Sequence, residues 1–327
     1  MVNVIIPAAG VGTRLRPHTH TTPKALLPVA GRPILGHILD RLRDIPSLGT
    51  IRIVVGFLAE QVQAYVSTHF KLPVRFVQQD ELLGLGYAVH LALDNTPDDA
   101  PLLVILGDTI VDVDLAQFVS GPDDTLGVKA VDDPRRFGVV EAKNGFVVSL
   151  VEKPAEPNSN LAVVGLYGIQ RTALLRKCLR DVVGRAQKSA GEIQMTDALQ
   201  GMIDAGSRMR AIPVDGWFDC GKVETLLETN RYLLAKRSLR YEIDSVVVIP
   251  PVHIAPSAVI ERSVIGPYVS IGENARIADS TLKNSIVADN ATVRHSILED
   301  SIVGNNATVD RATAPVNVGD PSAANAR

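Results

Sequence analysis

At 327 residues the chain is long enough for one large domain and a smaller one, and its formal net charge of -3 gives no global pull toward nucleic acid or an anionic membrane. Cys178 and Cys220 are the only cysteines, which implies neither a disulfide framework nor a thiolate metal cluster and fits a reducing compartment. No secretory leader pattern opens the sequence and no apolar run reaches membrane-spanning length, so a soluble cytoplasmic protein is expected, with no nucleic-acid or membrane partner.

Up to about Leu106, short β-branched runs alternate with helical patterns. "VNVIIP" (Val2–Pro7), "TIRIVV" (Thr50–Val55), "VRFVQ" (Val74–Gln78) and "PLLVIL" (Pro101–Leu106) read as buried strands. Between them, "ILGHILDRLR" (Ile34–Arg43), "AEQVQAYVSTHF" (Ala59–Phe70) and "GYAVHLAL" (Gly86–Leu93) carry helical spacing of apolar residues. The alternation predicts a mostly parallel sheet covered on both faces, with ligands at the carboxyl ends of its strands. From Thr125 to Val214 the pattern is mixed: strand-like "TLGVKAV", "FGVVEA", "FVVSLVE" and "AVVGLYGI" precede helical "TALLRKCLRDVV" and "TDALQGMIDAG". This stretch is expected to continue the same domain, which "KVETLLETNRYLLAKRSLR" (Lys222–Arg240) would end as a terminal helix.

After Ser245 the composition shifts to Ile, Val, Ser, Asn, Gly and Asp. Units beginning at Ile254, Ile265, Ile271 and Ile277 repeat a branched apolar residue at an irregular period of about five to six residues, which predicts stacked β-helix coils. The expected division is a domain over 1–240, a short β-helix over 245–312 and a disordered tail over 313–327.

The stretch "GVGTRLRPHTHTTPKALLPVAG" (Gly10–Gly31) follows the first strand and is stiff, polar and cationic. Gly10 and Gly12 let backbone N–H groups approach a phosphate, Arg14 offers a planar fork and Lys24 a compact charge. Pro17, Pro23 and Pro28 limit the entropy lost on gripping a ligand. Neither the third glycine of a dinucleotide fingerprint nor the Gly-Lys-Ser/Thr of a P-loop is present. A phosphate-binding loop is expected here rather than a generic polar one.

"AAGVGTRLRPHTHTTPKALLPVAGRPIL" resembles the N-terminal signature of the sugar-1-phosphate nucleotidyltransferases, and "QQDELLGLGYAV", "LLVILGDTI", "RFGVVE", "VEKP", "AVVGLYG", "GEIQMTD" and "GWFDCG" resemble later segments of that family in the same order. The resemblance spans residues 3–240, and the long glucose-1-phosphate thymidylyltransferases are the nearest branch, with UDP-glucose pyrophosphorylase a near relative. It implies an α/β fold: a Rossmann-like nucleotidyltransferase domain with a mixed, mostly parallel sheet, followed by a left-handed β-helix.

It also implies roles. Ala8, Ala9, Gly10, Gly12, Thr13, Arg14, Lys24, Gln79, Gly84 and Asp108 would bind the nucleotide, with Gln79 reading a pyrimidine through its amide. Phe137, Gly138, Glu152, Lys153, Val164, Gly165, Tyr167 and Glu192 would bind the sugar phosphate. Asp108 and Asp219 would hold Mg²⁺, whose octahedral demand suits two carboxylates, phosphate oxygens and water. Arg14, Lys24 and Lys153 would carry catalysis, since the sugar phosphate is already an anionic nucleophile and the task is to join two polyanions. His18 and His20 lack a third ligand and are expected to line the triphosphate channel. Trp217 and Cys220 are read as packing residues.

The implied substrates are dTTP or UTP and glucose 1-phosphate, in a protein expected to form homo-oligomers. "AAG" (Ala8–Gly10) departs from the "AGG" usual in the thymidylyl branch and appears in uridylyl relatives, so the base stays open between thymine and uracil. Three alternatives stay open: an acyltransferase or bifunctional enzyme built on the β-helix, which is short and has His295 as the only histidine in its later coils; a non-catalytic regulatory subunit; and a UTP-preferring or other hexose-1-phosphate nucleotidyltransferase. The presence of Arg14, Lys24, Asp108, Lys153 and Asp219 together argues for a working enzyme.

Overall fold

The computed structural model describes residues 1–94, 96–184, 192–237, 239–320 and 323–325. The chain divides into two compact units, one of Met1–Gly10 with Ile38–Trp217 and the other of Val11–His37 with Phe218–Arg327. The second unit thus includes Val11–His37, the segment that follows the first strand in sequence.

The first unit is built on a nine-stranded sheet. Its strands are β1 (Val2–Pro7), β2 (Leu48–Val55), β3 (Val74–Gln78), β4 (Leu102–Ile105), β5 (Asp124–Ala130), β6 (Gly138–Lys143), β7 (Phe146–Glu152), β8 (Leu161–Ile169) and β9 (Met209–Pro213). The order across the sheet is β3-β2-β1-β4-β8-β5-β9-β7-β6. β1, β2, β3 and β4 run parallel, β8 runs antiparallel to β4 and β5, and β9 is parallel to β5. The sheet is therefore mixed, with its parallel half where β-branched runs alternate with helices. Those helices are α1 (Ile34–Leu42), α2 (Ala59–His69) and α3 (Leu85–Ala92), each within a residue or so of its expected span. α4 (Thr172–Gly184) and α5 (Met195–Asp204) pack with α3 against the strands, burying Ala88, Val89, Leu175, Leu179, Leu199 and Met202 in one core with Ile5, Val104 and Tyr167.

In the second unit α6 (Val223–Ala235) leads to three parallel ladders, of four, five and five short strands. One coil advances 17 residues where Val252 faces Val269 and 16 where Ile286 faces Ile302. The first four coils visit all three ladders and the last visits two, an arrangement consistent with a β-helix. Like apolar residues stack inward in columns, as in Ile254, Ile271, Val287, Val303 and Val318. That stacking is the physical source of the repeated Ile and Val.

The recurring serines and asparagines have equally specific places. Ser263, Ser280 and Ser296 are buried at one corner, each hydroxyl donating to a carbonyl two residues back. The same oxygens accept the N–H groups of Ser280, Ser296 and Ala312 in the next coil. Asn274, Asn290 and Asn306 hold left-handed corners at φ of 55°, 58° and 57°, which asparagine tolerates better than most side chains. Asn317–Val318 pairs with Ile302–Val303, so part of the tail expected to be disordered extends a ladder. Residues 321–322 and 326–327 lie outside the described residues.

Within the second unit the segment Val11–His37 is held by short 3-10 turns at Thr13–Leu15, His18–His20 and Lys24–Leu26 and by a tight hairpin through Ala30 and Gly31. Asn230 of α6 is fully buried and ties the hairpin to the coils: its Oδ1 accepts from Ala30 N–H at 2.8 Å and from the Ser270 hydroxyl at 2.6 Å.

Candidate active site

In the first unit, the carboxyl ends of three parallel strands carry expected nucleotide-side residues. Ala8–Gly10 leave β1, Gln79 follows β3, and Asp108 lies just beyond β4. Such strand ends are where open α/β sheets bind ligands. Ala8 N–H donates to Val54 O at 2.8 Å and Gly107 N–H to Pro7 O at 3.0 Å, so the turn regions are fastened to the sheet. The Ala9 side chain is buried. Gln79 is buried, with its amide nitrogen donating to Glu81 O at 3.0 Å. Asp108 is half-buried, and one oxygen accepts from the Thr109 hydroxyl at 3.2 Å.

The expected sugar-side residues come from the antiparallel half and from the segment just before α5. Gly138 pairs with Glu152 at the ends of β6 and β7. Glu152 accepts from the Thr196 hydroxyl at 3.2 Å and lies 3.4 Å from Lys153 Nζ. Lys153 is exposed, in left-handed backbone at φ 43°, a costly conformation directly before proline. Its N–H is pinned to Phe137 O at 3.0 Å. Phe137 in turn meets the edge of Trp217, ring centroids 4.9 Å apart. Tyr167 is buried, and burial together with the negative Glu152 pushes its phenol far above the ordinary value, so it stays a neutral hydroxyl.

β8 breaks register between Val163 and Tyr167, and Gly165 sits in that irregularity at φ 79°. A Cβ at Gly165 would lie 2.4 Å from Leu106 Cδ1, so the position demands glycine for both backbone and space. Val164 is buried with its side chain against Gly127.

Glu192 and Gly84 meet. Ile193 N–H donates to Leu83 O at 2.6 Å and Gly86 N–H to Ile193 O at 2.9 Å, which brings residues 192–193 against the start of α3. A Cβ on Gly84 would lie 2.6 Å from Ile193 O and 2.9 Å from Glu192 Cβ. The close approach gives Gly84 a packing reason that its sequence motif alone does not reveal. Residues 192–196 therefore touch an expected nucleotide-side residue at one end and, through Thr196, the sugar-side Glu152 at the other. Thr196 escaped the sequence reading because its role depends on β7, more than 40 residues away in the chain.

In the second unit, Gly12, Thr13, Arg14 and Lys24 lie in the loop segment, and Asp219 follows in the stretch leading to α6. Gly12 has φ 67°, Thr13 and Arg14 are exposed, and Lys24 is mostly covered. Lys24 Nζ lies 3.8 Å from Asp219 Oδ1, uniting one expected phosphate cation with one expected metal carboxylate. Cys220 is fully buried, with its sulfur 3.3 Å from the Thr229 hydroxyl, as a packing residue would be. His20 is exposed, but His18 is buried and bonded to Asn317 at 2.5 Å. The sequence reading of His18 as a channel-lining residue is corrected: the ring packs into the end of the coils.

Among the described residues no group of three or more His, Cys, Asp or Glu side chains is arranged to hold a metal, and no helix is long and apolar enough to cross a membrane. Similarity to known proteins accords with this assembly. A family model described as nucleotidyl transferase matches residues 3–236, and one described as GMPPB C-terminal domain matches 248–318. A glucose-1-phosphate thymidylyltransferase of Streptomyces griseus is 33% identical over 316 residues, covering 88% of this chain and 87% of its own. The low-salt glycan biosynthesis nucleotidyltransferase Agl11 of Haloferax volcanii is 31% identical, covering 86% of each. A Bacillus anthracis structure described as a candidate glucose-1-phosphate thymidylyltransferase, in complex with a sucrose, superposes with a TM-score of 0.63 at 28% identity, covering 74% of this chain and 98% of that one. With the first model spanning most of the chain, this protein belongs to the nucleotidyl transferase family.

Proposed function

We propose that the protein transfers a nucleotidyl group from dTTP or UTP to glucose 1-phosphate, giving dTDP-glucose or UDP-glucose and pyrophosphate. The observation that carries the reading is the 192–196 segment, which links Gly84 on the nucleotide side to Glu152 on the sugar side within one unit. The names of the thymidylyltransferase relatives support the choice of glucose 1-phosphate.

The reaction needs no general base, because the sugar phosphate arrives as an anion. Its oxygen attacks the α-phosphorus in line, and pyrophosphate departs. Arg14 binds the departing phosphates, Lys24 offsets charge near the α-phosphate, and Lys153 holds the sugar phosphate for attack. Glu152 and Glu192 accept sugar hydroxyls, the neutral Tyr167 borders the same site, and Gln79 binds the pyrimidine edge. The donor set fits a hard cation: Asp108 and Asp219 are both carboxylates, and neither is fully buried. Magnesium held by these two would supply charge neutralisation on the phosphates, with its other ligands coming from substrate and water.

The domain plan that goes with this function is a catalytic domain over 1–240 followed from about residue 245 by a left-handed β-helix, one of whose ladders runs past the expected end at 312 to Val318, in a cytoplasmic homo-oligomer. An acyltransferase role for the coils finds no support in His295, which is exposed and sits 3.0 Å from Asp310 and 3.9 Å from Asp279.

The test is pyrophosphate release with Mg²⁺ and glucose 1-phosphate across dTTP, UTP, GTP, CTP and ATP. Turnover with dTTP or UTP is expected, and their ratio decides the base. Silence with every nucleotide and with a panel of other sugar phosphates would overturn the reading in favour of a non-catalytic subunit.

A further inference from the structure

Between Gly12–Arg14 and Lys24, the loop proposed to grip the triphosphate runs through Pro17–Thr22, which carries none of the proposed phosphate contacts. Polar loops at a ligand site are ordinarily wet, yet His18 is 2% exposed and Thr19 1%. Buried polar groups need partners. His18 finds Asn317, whose side-chain oxygen lies 2.5 Å from Nε2, and burial lowers the ring's proton affinity so that it stays neutral with Nε2–H donating. The Thr21 and Thr22 hydroxyls donate to one oxygen of Asp320 at 3.0 and 3.2 Å, and Asn305 donates to the same oxygen at 3.0 Å.

The last coils are shaped for this contact. A Cβ on Gly319 would lie 2.7 Å from Pro17 Cβ, and one on Gly304 would overlap the Asp320 carboxylate. From the clamped segment the constraint passes to both phosphate-side ends. The Thr19 hydroxyl donates to Gly12 O at 2.8 Å, and a Cβ at Gly12 would be 3.1 Å from Lys24 Cβ. Thr22 is separated from Lys24 only by Pro23, whose ring fixes one backbone angle.

We propose that Asn317 and Asp320, on the final coil, are positioning residues that preorganise the triphosphate loop through His18, Thr21 and Thr22. The coils thereby contribute to nucleotide binding without touching the nucleotide. A loop held in its binding conformation loses less freedom on gripping phosphates, so the clamp favours triphosphate affinity selectively. The kinetic consequence rests on the nucleotidyltransferase reading above; the clamp itself does not.

The experiment compares the full-length protein with Asn317→Ala, Asp320→Ala and the milder Asp320→Asn, which keeps an oxygen for the threonine hydroxyls. Amide hydrogen exchange over residues 11–28 and steady-state kinetics in both substrates are read on the same preparations. The expected result is faster exchange in 11–28 for both alanine variants. KM for the triphosphate rises by roughly three- to tenfold, while KM for the sugar phosphate stays within about twofold. Asp320→Asn falls between wild type and Asp320→Ala. A His18→Ala/Asn317→Ala pair is no worse than either single change, because both remove one interaction.

Unchanged exchange over 11–28 in the alanine variants would overturn the clamp. Faster exchange with both KM values rising equally would overturn its selective role in triphosphate binding. A wild-type protein that releases no pyrophosphate with any substrate pair would overturn the nucleotidyltransferase reading instead, while exchange still decides the clamp.

Discussion

Glu152 shows how single side chains are tuned here. Its carboxylate lies between the Thr196 hydroxyl and the Lys153 ammonium, so both a donor and a charge hold it in place. Tyr167 is kept protonated by burial and by that same negative charge, so the site gains a dipole rather than a second anion. Glu152→Gln should raise KM for the sugar phosphate by roughly tenfold with a smaller effect on kcat, as expected when a hydrogen bond to a charged group is weakened. Asp108→Asn and Asp219→Asn should instead lower kcat by on the order of 100-fold, since charge stabilisation counts most in the transition state. Magnesium titration of each variant's residual rate separates a lost metal ligand from a lost substrate contact. Gly165→Ala combines strain at positive φ with overlap on Leu106, and urea unfolding should register a loss of about 2 kcal/mol or more.

Elements are where the two halves of the chain differ in kind. The parallel strands β1, β2 and β4 are largely buried apolar runs because both faces of the sheet are covered there, and that made them readable. β3, expected to be buried, is the edge strand and only partly covered, with Arg75 and Gln78 exposed. The coil strands are only two or three residues long, too short for periodicity to define, and their register is set from outside each strand. One setting device is the serine corner. In Ser280→Ala the buried N–H of Ser296 would lose its acceptor and the carbonyl of Ala278 a donor. Destabilisation of about 1–3 kcal/mol in chemical denaturation is expected, with Ser285→Ala similar because its hydroxyl accepts from Ser301 N–H. A substitution at exposed Thr281, on the outer face of the same ladder, should change stability by no more than about 0.5 kcal/mol.

At the scale of the whole molecule, three histidines in both units share one behaviour. Burial lowers the proton affinity of His18, His90 and His253 below the ordinary imidazole value of 6.5. The unfolded chain therefore binds protons that the folded chain resists, and folding is favoured above pH 6.5 relative to below it. Stability should be steady just above that value and fall as the pH drops below it toward the lowered folded-state values. Thermal unfolding from pH 8 to pH 5 checks this. His18→Gln, which removes one titrating group but retains an amide donor, should flatten part of the decline.

The sequence alone carried the class of fold, the parallel half of the sheet, the repeating coils and the family, because each depends on local patterns: alternation, periodicity and an ordered set of motifs. It also named Glu152, Tyr167, Asp108 and Lys24 by resemblance, but not what surrounds them. Tertiary structure alone joined Gly84 to Glu192, gave Glu152 its hold on Thr196, and grouped Val11–His37 with the coils rather than with the strand before it. It also turned His18 from an expected channel residue into a buried partner of Asn317, 299 positions along the chain. Such pairings leave no periodic trace, since their energy comes from excluding water and satisfying polar groups between segments that meet only after the chain has folded.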